Sequence, residues 1–323
     1  MQSSGATSYL PDQTFATGRT VTTIVPGTGT AVGTLIYTYP GTPPYTYTST
    51  QVSWSSINSF ASDNSNVYFG VGGAVLKVST NGGALTPIAP TFGTPGASGI
   101  TLDSTSVYWI DNYVPGSNGA NLNRVSKSGG SVTTISTTTG SIQSLTVDSS
   151  SVYWAESNGS TTSIKKAGLN GGAATTIATI GGGVFQMVVG SSNIYYLSNG
   201  IFEVGVNGGT TTELYSLAWL WQFAVDTTSF YFWNYPNNML SKAPIGGGSI
   251  TAVSSQCYGT AGTIAVDAAN IYYMGTCGGE GGLYEIPING GTPTYLAAEG
   301  NALVIDSSSV YFIDNGGIEK VSK

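Results

Sequence analysis

Apolar residues along this chain come in short bursts separated by turns of Gly, Ser, Thr and Asn, and no stretch sustains a helical spacing. One burst recurs as an aromatic anchor. It reads Val67-Tyr68-Phe69, Val107-Tyr108-Trp109, Val152-Tyr153-Trp154, Ile194-Tyr195-Tyr196, Phe230-Tyr231-Phe232, Ile271-Tyr272-Tyr273 and Val310-Tyr311-Phe312. Successive central tyrosines are 40, 45, 42, 36, 41 and 39 residues apart. Four short strands with their turns fit such a period. The third copy reads most clearly. Residues 144–148, 152–156, 163–169 and 174–178 are predicted strands, with an Asp148 turn after the first and an Asn170-Gly171-Gly172 hairpin after the third.

The second strand of each copy is apolar at consecutive positions, as expected of a sheet covered on both faces. Sheets arranged radially cover one another in this way, whereas a sandwich leaves one face wet and shows cleaner alternation. The prediction is therefore an all-β, seven-bladed β-propeller with four-stranded antiparallel blades. The seventh copy runs from Leu303 to Lys323 and lacks a fourth strand. The segment Gly18 to Ile24 resembles the fourth-strand segment Gly130 to Ile135, so the last blade is expected to be closed by an N-terminal strand at 18–25, with 42–50 as competitor. Residues 1–17 read as a polar segment or linker, 18–323 as the propeller and 27–56 as a Tyr-rich hairpin insertion.

Charge narrows the chemistry. Charged residues make up 8% of the 323, the net charge is −7, and no basic run occurs, which speaks against nucleic acid as a partner. No run of apolar residues approaches the length of a membrane-spanning helix. The chain has no histidine, so Ser-His-Asp and Cys-His catalysis and His metal sites are excluded. Of nine aspartates, six take the same turn position (Asp63, Asp103, Asp148, Asp226, Asp267, Asp306), which reads as structural; Gly190 stands there in the fourth copy. Asp111, Glu156 and Asp314 end second strands, where they either hold a loop or line one mouth of the channel. No phosphate-binding fingerprint and no clustered calcium loop stands out, so neither cofactor, metal site nor catalytic residue is expected.

The third copy, with Val152-Tyr153-Trp154-Ala155-Glu156 and Ile164-Lys165-Lys166-Ala167-Gly168-Leu169-Asn170-Gly171, resembles the YWTD repeat of the low-density-lipoprotein-receptor class. The second, with Val107-Tyr108-Trp109-Ile110-Asp111 and Asn123-Arg124-Val125, is similar. This resemblance implies an extracytoplasmic binding module that uses one end of the ring. The Ser/Thr/Gly-rich surface looks like a bacterial secreted or envelope version.

Aromatics outside the anchors mark the candidate ligand site. Strand order puts the loop after strand two and the connections between blades on one face. Trp54, Phe92, Tyr113, Trp219, Trp221, Trp233, Tyr235 and Tyr258 are placed there. They either contact a partner or plug the channel mouth. Cys257 and Cys277 fall on the same face, which favours a disulfide over two buried thiols. The expected function is a non-catalytic module for a protein or peptide; a carbohydrate-binding propeller is the alternative. A lectin should repeat its site in several blades, but three of these tryptophans gather in blade five.

Overall fold

A computed structural model describes residues 13–14, 20–26, 35–37, 45–47, 57, 59–71, 74–90, 97–112, 118–235, 237–258, 263–298, 300–314 and 317–323. Every strand and helix assignment among them is a β-strand. Four sheets are antiparallel meanders of four strands. The first comprises Phe60–Ser62, Asn66–Val71, Ala74–Ser79 and Thr86–Pro90. The second comprises Ala97–Leu102, Ser106–Asp111, Asn121–Ser126 and Thr133–Thr137. The third comprises Ser141–Val147, Ser151–Ser157, Thr161–Gly168 and Thr175–Gly181, and the fourth Gln186–Val189, Asn193–Leu197, Gly200–Gly205 and Thr212–Ser216.

A closing sheet joins the two ends of the chain. Ala302–Ile305, Ser309–Asp314 and Gly317–Ser322 are followed outward by the N-terminal Thr20–Pro26, with Val21 opposite Val321, and then by Gln13–Thr14. It is Thr20–Pro26, not the competing 42–50 segment, that lies beside Gly317–Ser322. Leu35–Tyr37 and Tyr45–Tyr47 pair with each other as a two-stranded hairpin.

The expectation of seven closed, four-stranded blades is not met. The described residues form five blades, four of four strands and one of five, and the stretch from Phe223 to Ala297 makes a half-barrel-like sheet of nine strands. The reason is local. The outer strand expected after Met239–Pro244 is cut to Thr251–Ala252. The short strand Cys257–Tyr258 then pairs on both sides, Tyr258 with Met239 and with Thr276, and Cys257 with Cys277. Backbone hydrogen bonding thus runs without a break where two blades should part. A disulfide between Cys257 and Cys277, 20 residues apart with Cα atoms at 4.3 Å, sits at this seam.

The core lies between neighbouring sheets. In Ser106–Asp111, Val107 and Trp109 pack among residues of the first sheet, while Tyr108 and Ile110 pack among residues of the third. In Ser151–Ser157, Val152 and Trp154 likewise face the second sheet, and Tyr153 and Ala155 the fourth. Alternation persists, but both faces are dry, so the sequence reads as continuously apolar. Tyr311, Ile313 and Ile318 of the closing sheet pack on Phe60, Phe69 and Leu76 of the first, which closes the ring. Each such side chain contributes about 1.5–3 kcal/mol through burial.

Removing residues 1–26 takes away the strand beside Gly317–Ser322 and bares that sheet edge. The truncated chain should melt about 5 °C lower or more by circular dichroism. An unchanged melting temperature would show that this pairing contributes nothing.

Candidate functional site

A four-stranded meander has two chemically distinct ends. The turns between strands one and two, and between three and four, share the turn end. The hairpin between strands two and three shares the opposite, connection end with the links from sheet to sheet. The polar groups are divided between these ends in a regular way.

At the turn end an aspartate organises the first turn of every copy but the fourth. Asp148 Oδ1 accepts hydrogen bonds from the N–H groups of Ser150 and Ser151 at 2.7 and 2.8 Å, and its Oδ2 accepts from the Tyr153 hydroxyl at 2.8 Å. Asp63, Asp103, Asp226, Asp267 and Asp306 repeat this with Tyr68, Tyr108, Tyr231, Tyr272 and Tyr311. The anchor tyrosine thus packs its ring between sheets and ties its hydroxyl to the turn. Opposite five of these six tyrosines on strand three stands a cation, Lys77, Arg124, Lys166, Lys242 or Lys320, whereas Glu285 stands opposite Tyr272. Each cation reaches the Gly-Gly turn of the next copy, which for Lys242 lies within the same nine-stranded sheet. Lys77 Nζ donates to Lys127 O at 2.8 Å, Arg124 Nη1 to Leu169 O at 3.0 Å and Lys166 Nζ to Val206 O at 3.2 Å. Lys242 Nζ donates to Ile288 O at 3.4 Å and Lys320 Nζ to Thr80 O at 2.7 Å. These latches between copies escaped the sequence reading, although each of the first four cations stands five residues before the first positive-φ glycine of its own turn (Gly82, Gly129, Gly171, Gly247). The fourth copy has neither partner: Gly190 replaces the aspartate, and Glu203 stands opposite Tyr195, accepting from Asn193 instead.

Burial alone would push these turn carboxyls up. Hydrogen bonds outweigh it and hold Asp103, Asp148 and Asp226 below the usual carboxylate range. Ammonium partners add to this at Asp63, beside Lys127, and at Asp267, which Lys323 and the N–H groups of Ala269 and Asn270 bring down to about 2. Burial and the bonded carboxylate push the Tyr153 and Tyr311 hydroxyls up to about 12.

The connection end presents aromatics. The link Leu217-Ala218-Trp219-Leu220-Trp221-Gln222-Phe223 is almost wholly apolar, yet it divides. Leu217, Leu220 and Phe223 pack into a cluster with Tyr195 and Phe230. Trp219 and Trp221 are left 69% and 59% exposed. Trp219 adopts φ +63°, a left-handed conformation uncommon for a bulky side chain, and its ring lies 6.3 Å from that of exposed Tyr235. Phe185 repeats the division after Gly181-Gly182-Gly183: Val184 and Met187 are buried while Phe185 is 61% exposed. A side-chain bracket joins the two links. Gln186 Nε2 donates to Phe223 O at 2.9 Å, and Phe223 N donates to Gln186 Oε1 at 2.8 Å. Exposed Tyr258 follows on the far side, in the short strand that pairs with Met239.

The sequence-chosen residues therefore separate. Trp219, Trp221, Tyr235 and Tyr258 share the connection end and are exposed. Trp233 lies within the strand Ser229–Asn234, 6% exposed, edge-on to Tyr273 at 5.4 Å. Trp54, Phe92 and Tyr113 fall outside the described residues. Asp111 is buried and accepts from Asn123 at 3.2 Å; Glu156 pairs with Lys165 at 2.7 Å. Asp314 ends the strand Ser309–Asp314, and its side chain lies outside the described residues. Phe185 was not foreseen; its signal is an aromatic left over in a sheet-to-sheet link whose Val and Met neighbours suffice for the core. Among the described residues no helix is long and apolar enough to cross a membrane.

No family model and no curated protein matches this chain. Solved structures do. BamB from Moraxella catarrhalis is 11% identical with a TM-score of 0.55, over 94% of this chain and 98% of that one. The extracellular domain of the putative one-component system BT4673 from B. thetaiotaomicron is 11% identical with a TM-score of 0.57, over 82% of this chain and 38% of that one. A nidogen/laminin complex chain is 16% identical with a TM-score of 0.49, over 59% of this chain and 76% of that one. At such identities the first two support the propeller fold alone.

The turn carboxyls predict the response to pH. A carboxyl whose folded pKa is depressed stabilises fully above its unfolded value, about 3.9, and that stabilisation is lost as pH falls through the folded value. The urea midpoint should therefore fall between about pH 4 and pH 2. The raised tyrosines act in reverse: their stabilisation is intact below about pH 10 and is lost as pH rises towards 12. Asp148→Ala leaves two turn N–H groups and a hydroxyl without their carboxylate and should cost about 1–3 kcal/mol at neutral pH. A midpoint indifferent to acid would contradict this assignment.

Proposed function

We propose that this chain is a non-catalytic, extracytoplasmic binding module that engages a protein or peptide through the aromatics of its connection end. The observation that carries the reading is the split of one apolar link. Leu217, Leu220 and Phe223 fill the core, while Trp219 and Trp221 stay in water, Trp219 with an unfavourable backbone conformation. Tryptophan and tyrosine are the residues most often found to dominate binding energy at protein contacts. Absence of histidine, together with the engagement of Asp111 by Asn123 and of Glu156 by Lys165, favours binding over catalysis. The similar chain from B. thetaiotaomicron is an extracellular domain, and such a setting suits the Cys257–Cys277 disulfide. The likeness to YWTD repeats and a bacterial envelope origin belong to the same proposal.

Panning a displayed peptide library on the protein, alongside a glycan array, tests this reading. Enriched peptides are expected to lose about thirtyfold in affinity on Trp219→Ala or Trp221→Ala. Stability should change by no more than about 0.5 kcal/mol, since both rings are exposed. Reproducible binding to one defined sugar, with no peptide enriched, would replace this reading with a lectin.

A further inference from the structure

We propose that the partner segment taken by this aromatic face is cationic, a peptide or protein loop that presents arginine or lysine side chains. This rests on the binding reading above and gives the partner its chemistry. The first ground is where the protein's own cations lie. Arg19 apart, which is outside the described residues, all eight lysines and arginines are committed. Lys77, Arg124, Lys166, Lys242 and Lys320 hold Gly-Gly turns of neighbouring copies. Lys127 and Lys323 hold Asp63 and Asp267, and Lys165 holds Glu156. Seven of the eight thus point to the turn end, away from the aromatics. No described cation remains to meet an anionic ligand at Trp219, Trp221, Tyr235 or Tyr258.

The second ground is what flanks those rings. Glu213 and Glu280 are exposed on either side. Glu213 belongs to the fourth sheet; its Oε1 lies 3.4 Å from the position a Cβ would take on Gly200, at the hairpin of the connection end. Glu280 stands opposite Cys277, next to the Thr276 that pairs with Tyr258. Neither carboxylate has a described lysine or arginine within salt-bridge distance. A tryptophan face carries negative potential and attracts a guanidinium or ammonium. Arginine has the planar group that stacks on such a ring while its N–H donors reach a carboxylate at the edge. Two exposed indoles, two phenols and two exposed carboxylates, with no competing lysine or arginine among the described residues, form a surface complementary to positive charge.

The test uses the full chain and a matched set of short synthetic peptides. One has arginines spaced along a Gly/Ser backbone; the others replace each arginine with lysine, glutamine or leucine. Binding is read by tryptophan fluorescence and by calorimetry at low and high salt. The arginine peptide is expected to saturate and to bind best, the lysine peptide next, and the glutamine peptide at least about tenfold more weakly. Glu213→Gln with Glu280→Gln should weaken the arginine peptide about tenfold and flatten its salt dependence. Equal binding of glutamine and arginine peptides overturns the inference. So does arginine-peptide binding that survives Trp219→Ala with Trp221→Ala, because attraction to the net charge of −7 would then explain it. If the leucine peptide alone binds and depends on the tryptophans, the partner is apolar and the protein-binding face stands. If no peptide binds and a sugar does, both readings fall.

Discussion

Each described sheet that carries an anchor tyrosine is apolar on both faces, and no such sheet can hide both by itself. Val107 and Trp109 need one neighbour, Tyr108 and Ile110 the other. That requirement propagates from sheet to sheet until the closing sheet packs back on the first through Tyr311, Ile313 and Ile318. A row of sheets that failed to return would leave two dry faces in water. The ring, the pairing of a strand from each end of the chain and the radial placing of the core all follow from it.

Once the faces are covered, chemistry is confined to the two ends. The turn end is constrained: tight turns require Asp and Gly, and the anchor tyrosines and strand-three cations converge there. Little is left over for a ligand. The connection end is freer, because its links need only enough apolar residues to enter the core. Where a link carries more aromatic surface than the core can take, the surplus is displayed. The junction of the fourth sheet with the long sheet shows this. It lacks the Asp and Lys of the other latches and is held instead by Tyr195, Tyr215, Phe223 and Phe230, ring against ring at 5.1 to 6.3 Å. At the connection end of that same junction stand Trp219 and Trp221.

Much of this was legible in the residues. The anchor tyrosines located every second strand, and the Asp148-type turns and paired glycines placed the boundaries of the third copy close to the observed Ser141–Val147, Ser151–Ser157, Thr161–Gly168 and Thr175–Gly181. The disulfide and four of the exposed aromatics were also within reach. What misled was the assumption that every copy keeps a full outer strand. The fifth ends in Thr251–Ala252, and the two-sided pairing of Cys257–Tyr258 is a long-range choice that no local pattern announces. Trp233 takes the buried one of the two roles left open for these aromatics, because the strand Ser229–Asn234 carries one alternation further than its anchor suggests. Phe185 was overlooked because three glycines look like a plain linker, whereas what matters is which neighbours the core claims.

One link sorts its rings between core and water, and the display is fixed in the folded protein. Hydroxyl-radical footprinting read residue by residue by mass spectrometry tests it directly. Phe185, Trp219, Trp221, Tyr235 and Tyr258 should oxidise rapidly, with Trp109, Trp154, Trp233 and Tyr273 protected until the chain unfolds. Protection of Trp219 and Trp221 in the native protein, equal to that of Trp109 and Trp154, would contradict it.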